Sequence, residues 1–143
     1  MAAQQAYTYP ALVPSIVVRD VPATLEWFNK LGFATVFTLP SIAHAEVARD
    51  ADTRLMLGPD TWGHTPGSTG MGLYIKVDGS VDAYHDRVMA AGITVTQPLT
   101  DQFWGGRTFT VERPDGYRIT FWEHVRDVSP EEMQRAMAQM ASM

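Results

Sequence analysis

Apolar and polar positions alternate over residues 12–19 (LVPSIVVR), with Ile16 and Val18 on one face and Ser15 and Val17 on the other, which predicts a strand. Asp20 follows as an N-cap, and Pro22 is tolerated in a first helical turn. Val21, Leu25 and Phe28 then recur at helical spacing until Gly32 supplies a stop. Strand-like runs come next at 33–38, 42–48 and 53–58, the last two joined by a turn at Asp50-Ala51-Asp52. Residues 59–71 (PDTWGHTPGSTGM) are rich in Gly, Pro, Thr and Ser and read as a linker loop. After it the order starts again. Residues 72–77 form a strand with Leu73, Ile75 and Val77 on one face. Asp78 or Ser80 caps a helix carrying Val81, Tyr84, Val88 and Met89, which Gly92 closes. Strand-like runs at 93–97, 107–112 and 117–123 complete the second round, with Pro114-Asp115-Gly116 as a strong turn.

The two rounds superimpose: Asp20 on Asp78, Gly32 on Gly92, and Thr53-Arg54-Leu55-Met56-Leu57 on Tyr117-Arg118-Ile119-Thr120-Phe121. The pattern is a duplicated β-α-β-β-β unit. A single unit covers one face of its sheet with a helix and leaves the other bare, so the two are expected to curve together around a shared cleft. The fold class is α+β in one domain over 1–143, with repeats at 11–58 and 71–125, a linker loop at 59–70 and a C-terminal helix at 129–142. That last helix has Ser129 as N-cap, Pro130 in its first turn and Glu132 completing a capping box. Met133, Met137 and Met140 give it an apolar stripe, expected to pack on its own domain or on a twin subunit; an adaptable lid is the alternative.

Composition narrows the function classes. Hydrophobic residues make up 45% and charged residues 19% of the 143, which is globular rather than disordered. Eleven basic against 16 acidic residues give a net charge of −5, which argues against a general nucleic-acid binder. The absence of Cys excludes disulfides, thiolate nucleophiles and Cys–metal sites. No apolar run approaches the ~20 residues that span a bilayer, and Met1-Ala2-Ala3-Gln4-Gln5 lacks the basic-then-apolar order of a signal peptide. The expectation is a soluble, cytoplasmic protein without membrane or nucleic-acid partners.

Four stretches carry a family resemblance: Val17-Val18-Arg19-Asp20-Val21, Glu26-Trp27-Phe28 through Leu31-Gly32-Phe33, Gln102-Phe103-Trp104-Gly105-Gly106-Arg107, and Pro114-Asp115-Gly116-Tyr117. In this order, within a duplicated unit, they resemble the vicinal-oxygen-chelate (glyoxalase/bleomycin-resistance/dioxygenase) superfamily over about residues 11–125. The resemblance implies homodimers with clefts built or completed at the interface. It also implies, for the enzymes, a divalent metal held by His, Glu or Gln from the first and last strand of each unit. Those four positions fall here on Val13, Met56, Gly72 and Thr120. Val and Gly offer no ligand, Met a soft thioether and Thr a neutral hydroxyl, so no metal and no cofactor are expected.

Other chemistry is sparse. His44 and Glu46 share a strand face and form the one tempting pair for a metal or a general base; the plainer expectation is the polar face of an edge-like strand. His64, His85 and His124 are expected at the surface, and no Ser-His-Asp motif is recognisable. Alternation sends Met56 and Thr120 into the cleft together with Arg54, Arg118 and Trp122, as well as Val13, Ser15, Val17 and Tyr74. Leu55, Leu57, Ile119, Phe121, Ile16, Val18, Leu73 and Ile75 then lie under the helices. Phe103 and Trp104 stand beside the cleft on a Gly-flanked loop, and Trp62 on the linker closes over it. The expected ligand-binding set is Val13, Ser15, Met56, Trp62, Tyr74, Phe103, Trp104, Thr120 and Trp122. The function expected from it is metal-independent binding of an aromatic, antibiotic-like small molecule, cationic ones included, similar to the bleomycin-resistance branch. The alternatives are a metal-dependent lyase, isomerase or dioxygenase with a site displaced to His44 and Glu46, and a dimeric scaffold without a ligand.

Overall fold

In the computed structural model, which describes residues 10–59, 71–112 and 114–142, the β-α-β-β-β order occurs twice. The first unit comprises β1 (Ser15–Val18), α1 (Val21–Leu31), β2 (Ala34–Leu39), β3 (His44–Asp50) and β4 (Thr53–Pro59). The second comprises β5 (Gly72–Lys76), α2 (Val81–Ala90), β6 (Val95–Asp101), β7 (Gly106–Val111) and β8 (Arg118–His124). A third helix, α3 (Pro130–Ala141), ends the described chain. No helix among the described residues is long and apolar enough to cross a membrane.

Local chemistry accounts for the element ends. Asp20 Oδ1 accepts from the Ala23 amide at 3.0 Å, and Gly32 closes α1 in the left-handed region (φ 105°). Ser80, rather than Asp78, caps α2 through the Ala83 amide at 3.1 Å. Ser129 caps α3 through the Glu132 amide at 3.1 Å. β1 is shorter than the run 12–19 suggested, beginning just after Pro14. β6 runs on past Pro98 with two register shifts; it is the edge strand of its sheet, so the missing amide disturbs the ladder little.

Each unit folds into a four-stranded sheet, ordered β1-β4-β3-β2 and β5-β8-β7-β6, with the first pair parallel and the others antiparallel. The helix side of each sheet carries a buried apolar set: Ile16, Val18, Val47, Leu55 and Leu57 in the first, Phe109, Val111, Ile119 and Phe121 in the second. Val21, Phe28 and Leu31 of α1 and Val81, Tyr84 and Val88 of α2 cover them. Met89, expected on that face of α2, is exposed instead, because Tyr84 and Val88 already fill it.

All these side chains belong to one apolar core. The units meet across it. The Tyr84 hydroxyl donates to the Leu31 carbonyl, and the Arg49 guanidinium sits 4.8 Å above the Tyr84 ring. Trp27 Nε1 donates to Glu112 Oε1 at 3.1 Å, and the Val17 amide donates to the Tyr117 hydroxyl at 3.2 Å. Within one chain the units therefore share a core. The bare face of each sheet lies on its far side, because strand side chains alternate between the two faces.

Candidate functional site

The bare face of the first sheet follows from its register. Met56 pairs with Ser15 on β1 and with Glu46 on β3, and Glu46 pairs with Phe37 on β2. Arg54 pairs with Ala48 one step along, and His44 lies at the other end, its ring 5.9 Å from that of Phe37. β3 is an inner strand, not the edge-like strand expected for His44 and Glu46. As a result Glu46 is only 3% exposed and Arg54 6%. Glu46 Oε2 stands 3.7 Å from His44 Nε2, and Oε1 stands 3.8 Å from Arg54 Nη1.

The bare face of the second sheet carries hydroxyls and indoles. Thr120 on β8 pairs with Tyr74 on β5 and with Thr110 on β7; Trp122 pairs with Lys76 and Thr108. Thr108, Thr110 and Thr120 are buried. Thr110 donates to Gln97 Oε1 at 3.1 Å, so the Thr120 hydroxyl is the donor in the 2.8 Å contact between Thr110 and Thr120. Gln102 Nε2 donates to the Thr108 hydroxyl at 3.0 Å.

The two glycines after Trp104 have separate tasks. Gly105 adopts a positive φ of 96°, and a Cβ there would stand 2.1 Å from the Arg126 carbonyl oxygen. Gly106 leaves the space in which the Trp104 ring lies; a Cβ there would come within 2.2 Å of it. The indole is thereby laid on the sheet with its centroid 5.4 Å from that of Trp122, edge to face at 72°.

The expected ligand set does not converge as a whole. Ser15 and Met56 are neighbours on the first sheet, and Tyr74, Thr120, Trp122 and Trp104 on the second. Val13 precedes β1 and is partly buried. Tyr74 is 56% exposed and borders a groove of about 580 Å³ between the units, shared with Leu12, Pro14, Arg54 and Lys76. Phe103 borders a hollow of about 620 Å³ with Val125, Arg126 and Met140 of α3. Trp62 lies outside the described residues, as does His64. His85, expected at the surface, is largely covered by the edge of the Phe109 ring at 5.2 Å. Thr108 and Thr110 were not anticipated as site residues, although their alternation with Phe109 and Val111 is legible in the sequence.

The residues do not fit a family-type metal centre. Thr120 is a neutral hydroxyl already engaged with Thr110, Met56 is a thioether, and Val13 and Gly72 have no donor atoms. Among the described residues no three His, Asp or Glu side chains converge on one point.

The pattern that defines the Glyoxalase/Bleomycin resistance protein/Dioxygenase superfamily matches residues 10–121, and the chain belongs to that superfamily. An uncharacterized protein of Mycobacterium bovis is 31% identical, over 90% of this chain and 93% of its own length. A superfamily member from Sphaerobacter thermophilus is 29% identical in solved structure, with a TM-score of 0.64 over 82% of this chain and 97% of that one. TnmS3, an antibiotic binding protein from Streptomyces sp. CB03234, is 26% identical, with a TM-score of 0.65 over 78% of this chain and 93% of that one.

Proposed function

We propose that this protein binds and sequesters an aromatic, antibiotic-like small molecule without a metal. The observation that carries this is the Trp104–Trp122 corner, built over a glycine on a hydroxyl-bearing sheet face. A planar ring stacked there gains roughly 0.5–1.5 kcal/mol beyond area burial. The antibiotic-binding activity named for TnmS3 supports the same reading.

The protein acts as a homodimer in this proposal. Each bare face lies on the far side of its own sheet from the shared core, so a second copy is needed to enclose a guest between two faces. Tryptophan fluorescence titrated with bleomycin A2 and a panel of flat aromatic compounds tests binding. Quenching is expected to saturate, and Trp104→Ala to weaken it about fivefold to tenfold, the equivalent of one stacked ring. Stoichiometric nickel, zinc, iron or manganese in protein purified without chelator, or no response across the panel, refutes the proposal.

A further inference from the structure

We propose that Glu46 is the polar recognition point of this cleft, and that the natural guest presents a neutral N–H or O–H donor on its aromatic body. The inference rests on the binding reading above and names what that site selects.

Glu46 occupies the middle of the bare face of the first sheet, between Met56 on one side and Phe37 on the other. Its side chain is 5% exposed, so its carboxylate has lost nearly all of its water. A desolvated carboxylate needs hydrogen bonds to its two oxygens, which together accept about four. Among the described residues Oε1 accepts none. The ion pairs to His44 and Arg54, at 3.7 and 3.8 Å, are too long to be hydrogen bonds. The same chain shows what a saturated pair looks like: Arg107 grips both oxygens of Asp82 at 2.8 and 3.1 Å. Glu46 thus holds a fully buried acceptor oxygen without a hydrogen bond, between Met56 and Phe37, which a guest reaches only by displacing the side chains that cover it.

Charge decides which donor suits it. Arg54 balances Glu46 on its own face, and the register puts Lys76 and Arg118 on the bare face of the second sheet. A full cation would meet these positive groups, whereas an arylamine, amide or phenol brings a donor and no charge.

Pairs of flat, neutral aromatics that differ only in an amino against a dimethylamino group test this: 7-amino-4-methylcoumarin against 7-dimethylamino-4-methylcoumarin, and 1-aminopyrene against 1-(dimethylamino)pyrene, titrated by tryptophan quenching. The amino member is expected to bind about tenfold tighter, as a hydrogen bond to a charged acceptor provides. Glu46→Gln is expected to bring that preference close to unity while leaving the dimethylamino compounds nearly unaffected. If Glu46→Gln does not fold by circular dichroism, Glu46→Asp keeps the charge beside Arg54 and withdraws the carboxylate by one methylene, with the same expected loss of preference. Equal affinities within the pairs, or a preference that survives both substitutions, overturn the role of Glu46 and leave the aromatic-binding reading standing. Failure of every compound to bind overturns both.

Discussion

Gly106→Ala is the sharpest test of how the aromatic corner is built. Gly106 has no positive φ, so its backbone tolerates alanine; the constraint is the ring above it. The new Cβ would stand 2.2 Å from Trp104 Cζ3 and 2.4 Å from Cη2. Carbon atoms settle at roughly 3.5–4.0 Å, so the indole must move by more than about 1 Å. That movement forfeits the edge-to-face contact with Trp122, worth about 0.5–1.5 kcal/mol. For a domain of this size the melting temperature should drop by about 3–6 °C. Affinity for a stacked guest should fall about fivefold, since 1.4 kcal/mol corresponds to tenfold. Near-ultraviolet circular dichroism follows the indole pair directly, and fluorescence titration follows binding. Combining Gly106→Ala with Trp104→Ala should cost little more than Trp104→Ala alone, because both act on the same contact. An unchanged near-ultraviolet spectrum in Gly106→Ala, or losses that simply add, would refute this account of the corner.

Two further substitutions probe what holds the site's scaffold. Tyr84→Phe removes the hydroxyl bonded to the Leu31 carbonyl across the units, and should cost about 1–3 kcal/mol in urea denaturation. Burial pushes the Tyr84 hydroxyl above its ordinary value, against the smaller opposing pull of Arg49 and Arg87. The folded protein therefore holds that proton more tightly than the unfolded chain does. Its contribution is full below about pH 10 and is lost as pH rises through the folded value. Tyr84→Phe should flatten the alkaline fall in stability, and an alkaline limb identical to that of the parent would contradict this. On the second unit, hydrogen bonds from Arg107 hold the Asp82 carboxyl below its ordinary value of 3.8. The stabilisation is present above that value and disappears as pH falls through the depressed one. Arg107→Ala should move the Asp82 carboxyl signal in an NMR titration back up toward the ordinary range; an unmoved midpoint would mean that the pair does not form in solution.

The sequence by itself determined the duplicated unit, its helix caps and the sorting of side chains between the two faces of each sheet. These are local properties. Asp20, Gly32, Ser80 and Ser129 act on backbone groups within a few residues, and period-two alternation assigns Leu55, Leu57, Ile119 and Phe121 to the helix side whatever the sheets do next. The chemistry of Val13, Met56, Gly72 and Thr120 was equally legible, because a ligand needs a donor atom and the residue names say which have one. Only the tertiary structure decided strand order, and with it the fate of Glu46. Placed inside its sheet instead of at an edge, that carboxylate is buried between Phe37 and Met56. The turning of the helix-covered sides toward one core, the resting of Trp104 on Gly106 and the hollow that Phe103 shares with Met140 were likewise invisible along the chain. Each depends on contacts between residues far apart in sequence, whose geometry emerges only when whole sheets pack.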